Sequence, residues 1–262
     1  MTGSQSSATA TSQLAGKEAG PVLIACSDSP GAGAALALGR LLATALETTP
    51  LGAHVLPQPD YMLGDDPGLM FERRAERVAS HISAELAPLG GSALTVHSHS
   101  VAEGLLELMR RHGAAAIVLG GDDPGSLPGA TTRSLLRHAK CSVALAPRGY
   151  EGPGERAFTI AIAAARRGPA VDLAVRLRRT QRLAVILNAP ETGETHSDRP
   201  TLWRRWRGAI ASLNQSLDKA QAEPDLVIAA ISRRHRSLLW LPGMPGSRLL
   251  RRRRFPLVLL AR

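Results

Sequence analysis

The chain has 262 residues, 44% hydrophobic but only 3% aromatic, so its core must be built from Ala, Leu, Val and Ile. No run approaches the roughly 18 unbroken apolar residues that a membrane-spanning helix requires, and two cysteines, Cys26 and Cys141, exclude a disulfide framework. The net charge of +10 is unevenly placed: residues 1–150 carry 11 Lys and Arg against 13 Asp and Glu, whereas residues 151–262 carry 21 against 9.

Residues 1–20, MTGSQSSATATSQLAGKEAG, lack the basic start and apolar stretch of a signal peptide. Their Ser, Thr, Ala and Gly content predicts a disordered leader, and the expectation is a cytoplasmic protein. The pattern then alternates. PVLIACS (21–27) is a short apolar strand, and GAGAALALGRLLATALE (31–47) has apolar residues at helical spacing. GAHVLP (52–57) is a strand, followed by a Gly/Pro/Asp loop and a charged amphipathic helix, ERRAERVASHISAELAPLG. ALTVHSH is a strand, and VAEGLLELMRRHG is a helix that Gly113 closes as C-cap. AAAIVLG (114–120) is a buried strand, ATTRSLLRHAK a helix and CSVALAP a final strand.

Within PRGYEGPGER, residues 149–156 supply a linker, after which the order repeats with losses. AFTIAIA is a strand, GPAVDLAVRLRRT a helix and RLAVILNA a strand. A polar loop, PETGETHSDRP, leads to a helix, LWRRWRGAIASLNQSLDKAQ. PDLVIAAIS is a strand, SRLLRRRR a short helix and FPLVLLA a last strand. Strands alternating with helices argue for parallel sheets covered on both faces. The expectation is a tandem α/β protein, with units at 21–148 and 157–262 and the second lacking one strand–helix pair.

Three segments carry a family resemblance. GATTRSLLRHAKCSVALAPR (129–148) resembles the closing segment of the universal stress protein family, and ACSDSP (25–30) is similar to the turn after that family's first strand. DLVIAAIS…GSRLL…FPLVLLAR resembles the closing segment more distantly. The chain's end is also similar to stress-protein-like domains appended to bacterial cation/proton antiporters. The resemblance implies flavodoxin-like units with strand order 3-2-1-4-5, paired within the chain or as a homodimer. It further implies a regulatory or binding role rather than catalysis, with ATP as a possible ligand of the first unit.

Glycine-rich loops that precede a helix hold phosphate through close backbone N–H groups and the positive helix end. In ATP-binding relatives the resemblance implies Gly, two residues, Gly, nine residues, Gly, then Ser or Thr. Gly120 matches the first glycine and Gly129 the last, with Gly121 beside the first. Asp123 stands where the middle glycine belongs, the following stretch is four residues short, and Ala130 replaces the hydroxyl residue, with Thr131 next. Asp122 and Asp123 add negative charge where phosphates would lie, and like charges a few ångströms apart repel by a few kcal/mol. Ser27 takes the place of the family's base-binding Asp, with Asp28 one position late. The expectation is therefore a nucleotide site at Ser27, Asp28, Gly120, Gly121, Gly129, Ala130 and Thr131 with weakened or lost ATP affinity.

The second half offers arginines instead. Arg166 and Arg167 follow its first strand, Arg204, Arg205 and Arg207 its second, and Arg233, Arg234 and Arg236 a later one. In open α/β sheets those positions share the carboxyl edge, where guanidinium forks would take an anion, an acidic protein or a transporter's cytoplasmic face. Arg251–Arg254 could add a patch for anionic lipid or nucleic acid, although no aromatic-rich sheet face supports a dedicated RNA module. Trp203 and Trp206 are expected to anchor their helix in the core. His97 and His99 face one side of a strand but lack the further ligands that a metal site needs. Cys26 and Cys141 sit in apolar strands as structural thiols. No nucleophile elbow or paired carboxylate points to catalysis.

Overall fold

The computed structural model describes residues 20–57 without 28 and 30, then 68–121, 128–154, 158–163, 168–180, 184–188, 224–231, 245–251 and 255–261, with isolated positions between 208 and 239. The first half contains β1 (Val22–Cys26), α1 (Ala32–Leu46), β2 (Pro50–Pro57), α2 (Gly68–Leu86), β3 (Ser92–Ser98), α3 (Val101–His112), β4 (Ala116–Gly120), α4 (Ala130–His138) and β5 (Ser142–Ala146). The second contains β6 (Phe158–Ala163), α5 (Pro169–Thr180), β7 (Ala184–Asn188), β8 (Leu226–Ile231), α6 (Pro245–Arg251) and β9 (Leu257–Ala261). The alternation of apolar runs thus becomes alternating strands and helices. Gly113 ends α3 in the left-handed conformation at φ 60°, where its missing Cβ avoids the steric penalty.

All nine strands form one sheet in the order β3-β2-β1-β4-β5-β9-β8-β6-β7. The first five follow the order 3-2-1-4-5 that the resemblance implies. The remaining four, β7-β6-β8-β9, repeat the order β2-β1-β4-β5, with no counterpart of β3 among the described residues. Every pairing is parallel except one: β5 and β9 run antiparallel, with Val143 opposite Leu259 and Leu145 opposite Leu257. The parallel strands of the two halves are thereby joined into one mixed sheet. The cause is that each half ends in an apolar strand with a free edge, and these edges satisfy one another's backbone groups.

The helices divide between the faces. α1, α2 and α5 cover one, where Leu38, Leu42, Ile82, Leu86, Leu173 and Leu177 pack over Ile24, Val118, Ile160 and Ile228. α3, α4 and α6 cover the other, where Leu105, Leu108, Leu135, Leu136, Leu249 and Leu250 pack over Leu23, Ile117, Val143 and Val227. Each apolar layer runs through both halves. The inner strands are apolar on both sides, as parallel strands covered by helices on both faces should be.

Arg236 ties the seam together. It is fully buried, and its guanidinium donates to the backbone carbonyls of Cys141 at 2.8 Å, Ala139 at 3.4 Å and Leu259 at 3.4 Å. These acceptors belong to the entrance of β5 and to β9, on opposite sides of the antiparallel junction. Replacing Arg236 by Leu strands the carbonyls it serves, so the urea unfolding midpoint should fall by the equivalent of about 2 kcal/mol or more. An unchanged midpoint would remove Arg236 from this structural role.

Candidate functional site

In an open α/β sheet a crevice opens where neighbouring strands send their connections to opposite faces. That point lies between β1 and β4. The chain leaves β1 through α1 on one face and leaves β4 through α4 on the other. A cavity of about 230 Å³ occupies the position, at the carboxyl ends of β1, β2 and β4 and the starts of α1, α3 and α4. The sequence-assigned residues Ser27, Gly120, Gly129, Ala130 and Thr131 all line it. Asp28 lies outside the described residues. Gly121 is described but does not line the cavity.

The two glycines at the end of β4 have a different immediate cause from phosphate. A Cβ on Gly120 would overlap the backbone carbonyl of Gly31, and one on Gly121 would overlap the carbonyl of Ala146. The turn into α1, the end of β4 and the end of β5 therefore cross with their backbones in contact, which only glycine permits. This crossing forms the floor of the cleft.

The cleft is polar at one end and apolar at the other. Gly129 caps α4 with no side chain, and the first intrahelical bond runs from the Arg133 N–H to the Gly129 carbonyl at 3.0 Å. The N–H groups of Ala130, Thr131 and Thr132 are thus the donors a helix leaves over at its start, and all three residues line the cavity. Thr132 is 8% exposed and lines the cavity. Ser27 donates to the Ser29 hydroxyl at 2.8 Å, adding a second pair of hydroxyls at the end of β1. Val55, Val101 and Leu119 supply apolar wall. Thr132, Ser29, Gly31 and Val55 escape a motif search; their signal is position, immediately after a strand or at a helix start.

No Lys, Arg, Asp or Glu lines the cleft among the described residues. Cys26 lines it, but burial pushes its thiol up to about 12 against the opposing effect of the Ala53 backbone N–H, so it stays protonated at neutral pH. On the neighbouring strand, His54 is buried with Nδ1 3.1 Å from the Cys26 carbonyl, a bond that fixes Nδ1 as the protonated nitrogen. Both cysteines are free and buried, as structural thiols should be.

The remaining sequence assignments separate from this site. Arg166, Arg167, Arg204, Arg205, Arg207, Arg233 and Arg234 lie outside the described residues, as do Trp203 and Trp206. Arg236 is engaged inside the fold rather than presented on an edge. His97 is exposed on the outer edge strand β3 and His99 is exposed just after it, and no group of three metal-ligating side chains occurs among the described residues. No helix among the described residues is long and apolar enough to cross a membrane.

The comparison with family models decides the relationship: residues 19–147 match the Universal stress protein family. The first half is a universal stress protein domain. Among solved structures, a universal stress protein family member from Burkholderia pseudomallei is 28% identical, covering 50% of this chain and 98% of its own, with a TM-score of 0.42. A universal stress protein from Archaeoglobus fulgidus DSM 4304 is 11% identical, covering 92% of this chain and 98% of its own, with a TM-score of 0.60. A functionally unknown protein from Pseudomonas aeruginosa PAO1 is 12% identical, covering 95% of this chain and 94% of its own, with a TM-score of 0.53. The last two share the fold across nearly the whole chain. No curated protein matches it. The cleft thus lies wholly within the universal stress protein domain.

The crossing at Gly120 gives a direct test. Gly120→Ala places a methyl against backbone that cannot yield as a side chain would, so thermal unfolding should show a loss of about 1–3 kcal/mol without any ligand. Wild-type stability would mean that the two backbones are not in contact.

Proposed function

We propose that the protein is a non-catalytic, ligand-responsive binding protein whose stress-protein domain holds a small phosphate-bearing molecule of nucleotide type. The observation that supports this is the start of α4: Ala130, Thr131 and Thr132, whose N–H groups a helix start leaves over, all line one cavity at the strand switch point. Oxyanions suit such a place because backbone dipoles solvate them without a counter-charge. The apolar wall of Val55, Val101 and Leu119 suits a ring stacked beyond the phosphate.

The chemistry of the lining favours binding over turnover. General acid–base catalysis needs a group that exchanges a proton near neutral pH. The described lining offers only hydroxyls, amides and the Cys26 thiol, whose proton is held by burial. Among the described lining residues no side chain is basic, which supports a weak affinity for a triphosphate.

Calorimetric titration of the full chain with adenine nucleotides should give one site per chain, and the nucleotide should be recovered unchanged after prolonged incubation. Hydrolysis or phosphoryl transfer above the rate in buffer contradicts the non-catalytic reading. The absence of binding by any nucleotide contradicts the assignment of the cleft.

A further inference from the structure

The strands of the first half run parallel, so the helices that lead back to them end at the amino edge of the sheet, opposite the cleft. α3 and α4 pack side by side and end there together, before β4 and β5. The last turn of α3 carries Arg110 and Arg111, α4 carries Arg133 and Arg137, and Lys140 follows in the turn into β5. All five are exposed, and residues 108–121 and 128–150 contain no Asp or Glu. Glu107, one turn back on α3, is the nearest acid in sequence. The first half as a whole has 11 Lys and Arg against 13 Asp and Glu, so an acidic unit gathers five of its cations at one corner. Helix dipoles favour the cations in the last turns, but not Arg133 in the first half of α4. Arg133 and Arg137 stand four apart, where like charges cost helix stability.

The corner is held in shape from below. The Lys140 N–H donates to Met109 Sδ at 3.3 Å, which sets the turn into β5 against the end of α3. The buried Arg236 guanidinium donates to the carbonyls of Ala139 and Cys141, on either side of Lys140, and places a further positive charge beneath the turn. Arg110 Nε donates to the Leu106 carbonyl at 3.1 Å, which steadies that side chain along its helix.

We propose that this corner binds the phosphate backbone of duplex DNA without reading its sequence. Protein docking is anchored by aromatic and other large side chains that become buried, and membrane-surface binding by apolar side chains that insert. Among the described residues the exposed large hydrophobic side chain is Val175, on α5 at the opposite face. Single strands are held by stacking on aromatic side chains, and none is exposed among the described residues. Guanidinium forks on a chain of net charge +10 fit an array of phosphates, where affinity comes chiefly from released counterions.

The test is fluorescence anisotropy of a labelled duplex of about 20 base pairs with the full chain, between about 50 and 200 mM salt. Five phosphate contacts predict that log K falls against log salt with a slope of about −4 to −5. Arg110→Gln with Arg111→Gln should make the slope shallower by about 2. Arg110→Lys with Arg111→Lys keeps the charge and should restore the slope, which separates loss of the contacts from loss of the fold. Arg73→Gln with Arg77→Gln removes the same charge from the exposed side of α2 and should leave the slope unchanged. No binding at the lowest salt, or a slope shallower than about −2, overturns the phosphate-backbone reading. A slope unmoved by the glutamine pair on α3, or moved as much by the pair on α2, overturns the placement at this corner. Tighter binding of single-stranded DNA, poly-glutamate or anionic vesicles than of the duplex overturns the choice of partner. None of these outcomes depends on a ligand in the cleft.

Discussion

β1 is the strand on which the functional half of the molecule depends. It pairs in parallel with β2 on one side and β4 on the other, and the connections of those strands leave toward opposite faces. A crevice at its carboxyl end follows from topology, before any side chain is specified. The chain then narrows that crevice by backbone contact. Gly31 and Gly120 meet at its floor, and the carbonyl of Ala146 closes against Gly121. What remains is a small cavity with helix starts on two sides and no charged lining among the described residues. Its chemistry is consequently that of backbone amides and hydroxyls.

The second half is welded to this unit rather than hung from it. The antiparallel pairing of β5 with β9 continues the hydrogen-bonded sheet through the junction, and both apolar layers cross it. A fully buried arginine at such a junction would be costly if unserved. Arg236 instead directs its guanidinium at carbonyls on either side of the seam. Tyr150, just after the last strand of the first half, belongs to the same construction. Its phenol is held above its usual pKa by burial and by the carboxylate of Asp225, which itself accepts from the Thr159 N–H at 2.8 Å. The halves therefore form one body with a single continuous sheet, and the site in the first half has the second as its structural support.

Much of this was legible in the sequence because the signals were local. Apolar runs of five to eight residues separated by amphipathic helices located every strand, and Gly113 marked the end of α3 through its left-handed conformation. Ser27, Gly120, Gly129, Ala130 and Thr131 were found by motif, and the fold brings them together. The seam was not legible. β9 is buried on both faces from Leu257 to Leu260, so its sequence has no alternation to reveal orientation or partner. Nor could sequence separate a glycine that approaches phosphate from one that approaches another strand, as Gly120 and Gly121 do. Arg236 misled for a related reason: its neighbours Arg233 and Arg234 suggest a charged surface, whereas its carbonyl acceptors lie about a hundred residues earlier and in the last strand. Thr132 carries no motif, and only its burial beside an open helix start distinguishes it.

The central claim is that the start of α4, and not the arginine-rich second half, receives the anionic group. Amide chemical-shift mapping by NMR on uniformly labelled protein, titrated with AMP, tests it most directly. The account predicts the largest and saturable shifts at Ala130, Thr131 and Thr132, with smaller ones at Ala32 and Gly120, which line the same cavity. Saturable shifts confined to residues 157–262, with the start of α4 unmoved, would contradict it.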